Sequence, residues 1–193
     1  LNLSGWMNYV FRGVEPQRLG NRSLDMAPHG CYPCLGEDAW VSIACVEDAH
    51  WKQLAEILGG ELSTDQRFLS LGRRKENEDE LDQIISAWSS TRDRWEITRS
   101  LQAKGVAAFP TMTTQDIIED SHLSARDFIE RQPHPEVGER AHTGIPWVTQ
   151  NSECNVRSAA PCLGADTDVY LSELLGYDEE RIKDLYDRGA IGA

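Results

Sequence analysis

Apolar residues recur every three or four positions through much of the chain, a spacing that predicts amphipathic helices. The first helix is predicted over residues 1–12, and another over about residues 73–88. Asp48 and Thr91 are the expected N-caps of two further helices, one on each side of the second. The apolar stripes of the three central helices are Trp51, Leu54, Ala55 and Leu58; Leu81, Ile84, Ile85 and Trp88; and Trp95, Thr98 and Leu101.

Shorter β-prone runs lie between the helical segments. Residues 31–35 and 40–46 predict two strands joined as a hairpin, and residues 106–112 predict a third strand. Residues 126–150 predict two more strands around a turn. Because Pro33 has no amide proton to donate to a neighbour, the first strand is expected at the edge of its sheet.

The last part of the chain predicts helices again. Thr114 is the expected cap of a short helix, and residues 151–164 have no period and are interpreted as a connector. Two final helices follow, the second with Asp178 as its N-cap. Because the helices and strands do not alternate as regular βαβ units, the predicted fold class is α+β.

Charge restricts the partners. Lys and Arg total 19 and Asp and Glu total 32, so the net charge of the 193-residue chain is −13. Such a surface repels phosphate backbones and anionic membranes, so neither nucleic acid nor a membrane is expected as a partner. The chain also has no apolar run near the roughly 18 residues of a membrane span.

The five cysteines are odd in number, which favours reduced thiols in a cytoplasmic protein. Cys31 and Cys34 have the C-x-x-C spacing of a redox pair or half a zinc site. A strand would point them to opposite faces, and the eight-residue separation of Cys154 and Cys162 fits no zinc pattern. We therefore predict structural cysteines and no metal site.

Other candidates for chemistry are few. His29, in the glycine-containing loop of residues 18–30, is the histidine best placed for a ligand contact. The triplet Arg73, Arg74 and Lys75 has the charge to meet a phosphate. However, acidic residues follow it at once, and pairing along a solvated helix face explains it equally well. The residues alone therefore give no complete catalytic constellation.

Four stretches, in order along the chain, resemble motifs of the family III CoA-transferases (the CaiB/BaiF group). Residues 18–34 resemble the segment that opens the family's small domain. The other three resemble its "GVPAGPV…DPHLRAR", "G-x-P-F" and "APLLGEHTD" motifs, and they are residues 105–126, 144–147 and 160–168. The resemblance covers nearly all of the chain from residue 16 onward.

The resemblance implies the C-terminal half of such a protein. Residues 1–16 would be a helical lead-in from a large domain, residues 17–125 a small inserted α+β domain, and residues 126–193 a return segment with helices that join the large domain. The whole protein would then be α/β, with a Rossmann-like large domain and an interlocked dimer, or a heteromer with a partner subunit. Since Leu1 is not an initiator Met, we expect a fragment, a processed subunit or a trimmed chain, although a native start stays possible.

The resemblance also implies the chemistry. In the family, an aspartate attacks an acyl-CoA thioester, and CoA passes through an aspartyl-CoA thioester to a carboxylic acid. No aspartate of this chain matches that motif, so no catalytic residue is expected here and the nucleophile is expected upstream. The CoA thioester is a substrate, and no permanently bound cofactor is expected.

The expected contribution of this half is a loop that faces the acyl group. The oxalate-specialised branch of the family has a flexible glycine run there, whereas this chain has Leu24, Asp25 and Met26. Together with His29, these are the candidate substrate-binding residues. Leu and Met suit a bulkier, more apolar acyl group than oxalate; the alternative is that they only shape the loop.

Two other functions stay open. An α-methylacyl-CoA racemase of the same superfamily would move a proton with a His and an Asp upstream of this chain. A non-catalytic partner subunit would have no nucleophile upstream. The loop motif favours the transferase, and the sequence preceding Leu1 would distinguish all three.

Overall fold

The computed structural model describes residues 3–15, 17–152 and 154–192, so the first two residues of the predicted first helix lie outside the described part. The chain divides into two compact units, Leu1–Thr111 and Met112–Ala193. The elements of the first are α1 (Leu3–Arg12), β1 (His29–Pro33), β2 (Trp40–Ala44), α2 (Asp48–Gly59), a 3-10 helix (Gly60–Ser63), α3 (Leu71–Glu76), α4 (Glu78–Ser89), α5 (Arg94–Gln102) and β3 (Ala107–Pro110). Those of the second are α6 (Thr114–Glu119), α7 (Ser121–Ala125), β4 (Ile129–His134), β5 (Gly138–Thr143), α8 (Thr167–Glu173) and α9 (Glu179–Asp187). The predicted α+β class is confirmed.

The first unit is built on a three-stranded antiparallel sheet with the order β1-β2-β3. Tyr32 pairs with Val41, and Ala108 pairs with Ile43, and all four side chains are buried on the face that helices α4 and α5 cover. In the described sheet β1 is an edge strand, as Pro33 predicts, although it begins two residues before the predicted position.

The core joins this sheet face to the apolar stripes of the helices. The predicted stripes of α2 and α4 are confirmed, because Trp51, Leu54, Leu81 and Ile85 are buried. The residues that complete the core include Ala55, Phe68, Ile97, Leu101 and Val106. In α5, Ile97 takes the inward place predicted for Trp95, which is only half-buried and packs edge-on against Phe109 on the sheet's other face.

Local hydrogen bonds correct several predicted helix boundaries. The single helix predicted over residues 73–88 is two helices, α3 and α4, because Asn77 ends the first with a non-helical backbone and donates its side-chain amide to the Arg73 and Arg67 carbonyls. The predicted cap Asp48 is inside α2, whose N-cap is Glu47. Likewise, α5 is capped by Asp93 and not by Thr91, and α6 by Thr113 and not by Thr114. Helix α7 is an element that the sequence pattern did not predict.

In the second unit, β4 and β5 form the predicted hairpin, paired from Ile129–Thr143 to His134–Gly138. The His134 ring Nδ1 accepts hydrogen bonds from two backbone amides of the turn. The predicted connector has no helix or strand in residues 151–152 and 154–164. Asp178 caps α9, as predicted, by accepting from the Arg181 amide at 2.8 Å.

Helix α1 carries exposed apolar side chains, and Trp6 and Phe11 are 75% and 77% exposed. Among the described residues, no helix has both the length and the apolar content required to cross a bilayer.

Candidate functional site

The loop of residues 18–30, whose last two residues already belong to β1, carries all four candidate substrate-binding residues. It opens with a tight turn in which the Arg22 amide donates to the Leu19 carbonyl at 3.1 Å and Gly20 has a φ of 61°. A positive φ of this kind is readily adopted by glycine. At the other end Ala27 and Pro28 are buried. The loop is therefore held at both ends, and its middle, Leu24, Asp25 and Met26, is here called the loop tip.

Arg22 anchors the loop to α4. Its Nη2 lies 2.6 Å from a carboxylate oxygen of Asp79 and 2.7 Å from one of Asp82, and its Nε donates to Asp82 at 3.2 Å. Glu78 lies further away, at 3.7 Å. The hydrogen bonds to Asp79 and then to Asp82 raise the pKa of Arg22 above its ordinary value. The guanidinium therefore bridges two carboxylates that are three residues apart on one face of α4.

Arg74 and Lys75, in α3, hold the loop from a second helix. Arg74 is 1% exposed, and it donates from Nε to the Ala27 carbonyl and from Nη2 to Asp48, both at 2.6 Å. Lys75 Nζ donates to the Ser23 carbonyl at 2.6 Å and pairs with Glu78. The interpretation of the triplet as a solvated charged face is thus wrong for Arg74, which is buried because it satisfies the loop's backbone.

The loop tip projects between these anchors. Leu24 is 75% exposed, Asp25 is also exposed, and Met26 is half-buried. The Ser23 hydroxyl donates to the Asp25 carboxylate at 2.5 Å, and this hydrogen bond is the main cause that lowers the pKa of Asp25. Asp25 is therefore charged at neutral pH. The nearby Arg22 does not neutralise it in the described structure, because its guanidinium pairs with carboxylates of α4.

His29 lies apart from the tip, at the start of β1. Its Nδ1 is 2.5 Å from the Asn21 carbonyl oxygen. A carbonyl can only accept a hydrogen bond, so Nδ1 donates this one, and Nε2 is the ring nitrogen that is left to contact a ligand.

A groove of about 600 Å³ lies on the face of the sheet opposite the core. Small side chains leave this space: Cys31 in β1 pairs with Ser42 in β2, and Ala44 pairs with Ala107 in β3. Phe109 and His29 also line the groove. This groove is not among the sites predicted from the sequence, although small residues at alternate strand positions indicate such a space.

The structure brings only part of the predicted site together. Of the four predicted residues, His29 lines the groove, and together with Asn21 and Arg22 it also lines a second, more polar hollow of about 470 Å³. Leu24, Asp25 and Met26 line neither of these two cavities. The loop tip is thus a projection beside the groove, and its contact with substrate stays a prediction.

Each of the five cysteines, all within the described residues, has a free thiol. Cys34 and Cys45 are buried in the core, and loss of hydration raises the pKa of Cys34 to about 11 and that of Cys45 to about 12. Cys31 faces the groove instead. In the part of the chain that the structure describes, no three His, Cys, Asp or Glu side chains are grouped as metal ligands.

Comparison with known proteins gives the family. The sequence profile described as CoA-transferase family III matches residues 3–167. A formyl-CoA:oxalate CoA-transferase from Streptomyces avermitilis is 32% identical over 183 residues, which are 93% of this chain and 44% of that protein. The beta subunit of a succinyl-CoA–L-malate CoA-transferase from Chloroflexus aurantiacus is 27% identical over 185 residues, 94% of this chain and 45% of that subunit.

The fold agrees with this sequence relation. A crystal structure of a CAIB/BAIF family protein from Brucella suis superimposes with a TM-score of 0.73 at 26% identity, over 89% of this chain and 44% of that one. The chain belongs to CoA-transferase family III, so the resemblance of its motifs is confirmed. It spans less than half the length of the relatives it matches.

We expect Arg74→Met to lower the free energy of unfolding by about 2–4 kcal/mol, because buried carbonyls, including those of Ala27 and Phe68, lose their donor. Arg73→Met is the matched control, since Arg73 is an exposed neighbour whose ion pair with Glu76, at 3.6 Å, lies at the surface, and it should change stability by at most about 0.5 kcal/mol. Urea unfolding of both variants provides the measurement. Equal losses would show that Arg74 has no special role.

We also expect the thiols to react unequally. At pH 8 a thiol of pKa about 12 is only about 0.01% thiolate, so Cys45 should alkylate about a thousand times more slowly than an ordinary cysteine, and Cys34 about a hundred times more slowly. Both rates should rise about tenfold per pH unit as far as the protein stays folded. Iodoacetamide labelling with peptide mapping measures this, with denatured protein as control. Labelling of Cys34 or Cys45 at the denatured rate would contradict it.

Proposed function

We propose that the complete protein containing this chain is an acyl-CoA:carboxylate CoA-transferase. The observation that carries the proposal is the family match over residues 3–167, supported by relatives that are named as CoA-transferases for oxalate and for L-malate. Because the chain spans 44% of the oxalate-named relative, the remainder of the catalytic machinery is proposed to lie upstream.

In the proposed reaction an upstream aspartate attacks the carbonyl carbon of the donor thioester and CoA thiolate leaves, which gives a mixed anhydride. The thiolate then attacks the aspartyl carbonyl, which releases the donor acid and leaves an aspartyl-CoA thioester. The acceptor carboxylate then attacks the aspartyl-CoA thioester, which releases CoA thiolate and forms a second mixed anhydride. The thiolate attacks the acceptor's carbonyl in this anhydride, which gives the new acyl-CoA thioester and frees the aspartate. Water would hydrolyse the anhydride, so the site must be closed over it.

This chain would contribute binding and closure. The loop tip would face the acyl group, with Leu24 as its most exposed apolar side chain, and His29 would offer a hydrogen bond from the side of the groove. Leu24 and Met26 offer apolar surface where a glycine run would offer bare backbone amides to a small dianion, so a bulkier and more apolar acid than oxalate is proposed, even though one relative is named for oxalate. The charge of Asp25 opposes a dicarboxylate that approaches from that side.

The organisation of the complete protein is also a proposal. Residues 1–16 would lead in from the large domain, 17–125 would form the small domain, and 126–193 would return. The exposed apolar face of α1 supports its packing on the upstream half. A homodimer or a heteromer in the cytoplasm is proposed, and the relative named as a beta subunit supports the heteromer, in which this chain's protein could be a non-catalytic partner.

The first experiment separates these alternatives. The complete protein should transfer CoA from succinyl-CoA to a panel of carboxylic acids, whereas purified residues 1–193 should show no transfer because they have no nucleophile of the family type. Thioester exchange followed by liquid chromatography measures both. Epimerisation of a 2-methylacyl-CoA without exchange would identify a racemase. Turnover by residues 1–193 alone would place the nucleophile in this chain.

The second experiment tests the loop tip. Replacing Leu24, Asp25 and Met26 together by Gly should raise the KM of the complete protein for bulky acids and relax its discrimination against oxalate, with a change in selectivity of roughly 10- to 200-fold. The control replaces Glu136 and Val137 by Gly in the exposed β4–β5 turn, and its selectivity should be unchanged. Unchanged selectivity in the triple variant would show that the tip lies outside the acyl pocket.

A further inference from the structure

The loop tip is bounded by anchors that all originate in α3 and α4. Before the tip, Arg22 pairs with Asp79 and Asp82, and the Ser23 carbonyl accepts from Lys75. After it, the Ala27 carbonyl accepts from Arg74. Six residues of loop, 22–27, are therefore held at both ends by one pair of helices.

The two ends differ in how they are held. At the Arg74 end, both Arg74 and Ala27 are buried in the first unit. The Arg22 end lies at the surface, where the Arg22 side chain is 37% exposed and that of Asp79 is 85% exposed. Single ion pairs in such a position stabilise weakly, but one planar guanidinium that binds two carboxylates combines several contacts and fixes direction as well as position.

We propose that Arg22 is a positioning residue for acid selection, because its ion pairs with Asp79 and Asp82 hold the front end of the loop tip in the conformation that receives the acid. This inference rests on the proposed function, which places the tip against the acyl group. A flexible glycine run becomes ordered each time an acid binds, at an entropic cost. Here the ion pairs order the tip before binding.

The proposal has a specific kinetic consequence. A residue that orders the tip affects how well the acid binds, but it does not touch the reacting atoms. Loss of Arg22 should therefore raise KM for the preferred acid and leave kcat nearly unchanged. It should also make the tip's backbone open more often, which is measurable without any substrate.

The variant Arg22→Gln in the complete protein tests this. We expect amide hydrogen exchange in residues 19–27 to become about three- to tenfold faster, and KM for the preferred acid to rise by a similar factor with kcat within about twofold. Arg22→Lys keeps the charge without the planar fork and should give an intermediate result.

Arg67→Gln is the matched control. Arg67 is also a part-exposed arginine that pairs with a carboxylate of α4, Glu80, and with Asp65, and these side-chain ion pairs in the described structure lie outside the loop of residues 18–30. Arg67→Gln should change neither the exchange of residues 19–27 nor KM. A control that alters both as Arg22→Gln does would reduce the effect to a general loss of stability and overturn the inference.

Three further outcomes decide between the proposals. Unchanged exchange in Arg22→Gln would show that the ion pairs do not order the tip. Faster exchange with unchanged KM would show that tip order does not govern acid binding. Both results overturn the inference while CoA transfer by the wild-type protein still supports the proposed function. A wild-type protein that transfers no CoA would overturn both.

Discussion

The position of the loop of residues 18–30 depends on the hydrogen bonds that the buried guanidinium of Arg74 donates. The guanidinium lies over the Trp51 ring, with 5.6 Å from the guanidinium carbon to the ring centroid, and donates to the carbonyls of Ala27 and Phe68 and to the carboxylate of Asp48. Removal of a charge from water is costly, so such a group is found buried only when its donors are satisfied. Here the donors are satisfied by three separate segments, which are thereby fixed to one point in the core.

This constraint explains how an irregular loop keeps a defined position beside a sheet. The loop of residues 18–30 has few apolar residues to bury, and its backbone groups need partners. The helices α3 and α4 supply them with long cationic side chains and with carboxylates that pair with Arg22. Part of the chain's acidic excess is thus structural. The carboxylates of α4 receive the cations that hold the loop, and they are not simply a solvated face.

Local patterns predicted most of the secondary structure because they depend on neighbouring residues. The stripes of α2 and α4, the edge position of Pro33 and the cap at Asp178 need only periodicity and backbone chemistry. The break at Asn77 was missed because the apolar stripe alone does not record a side chain that bonds to its own backbone. The burial of Arg74 and the groove depend on partners distant in sequence, as in the 47-residue separation from Ala27. The family was predicted correctly because ordered motifs carry information that periodicity does not.

In the proposed function, the loop tip presents side chains to the acid where a glycine run would present backbone. Glycines leave room for a small dianion and expose backbone amides to it, but such a loop must be ordered at each binding event. In the proposal, Leu24, Asp25 and Met26 take the place of such glycines, and a projecting side chain discriminates by shape only if its backbone does not move away from a poorly fitting acid. Selectivity from bulky tip residues therefore requires anchors at both ends of the tip. The anchors observed here at Arg22 and Ala27 satisfy this requirement, and they connect the identity of the tip residues to the charges of α3 and α4.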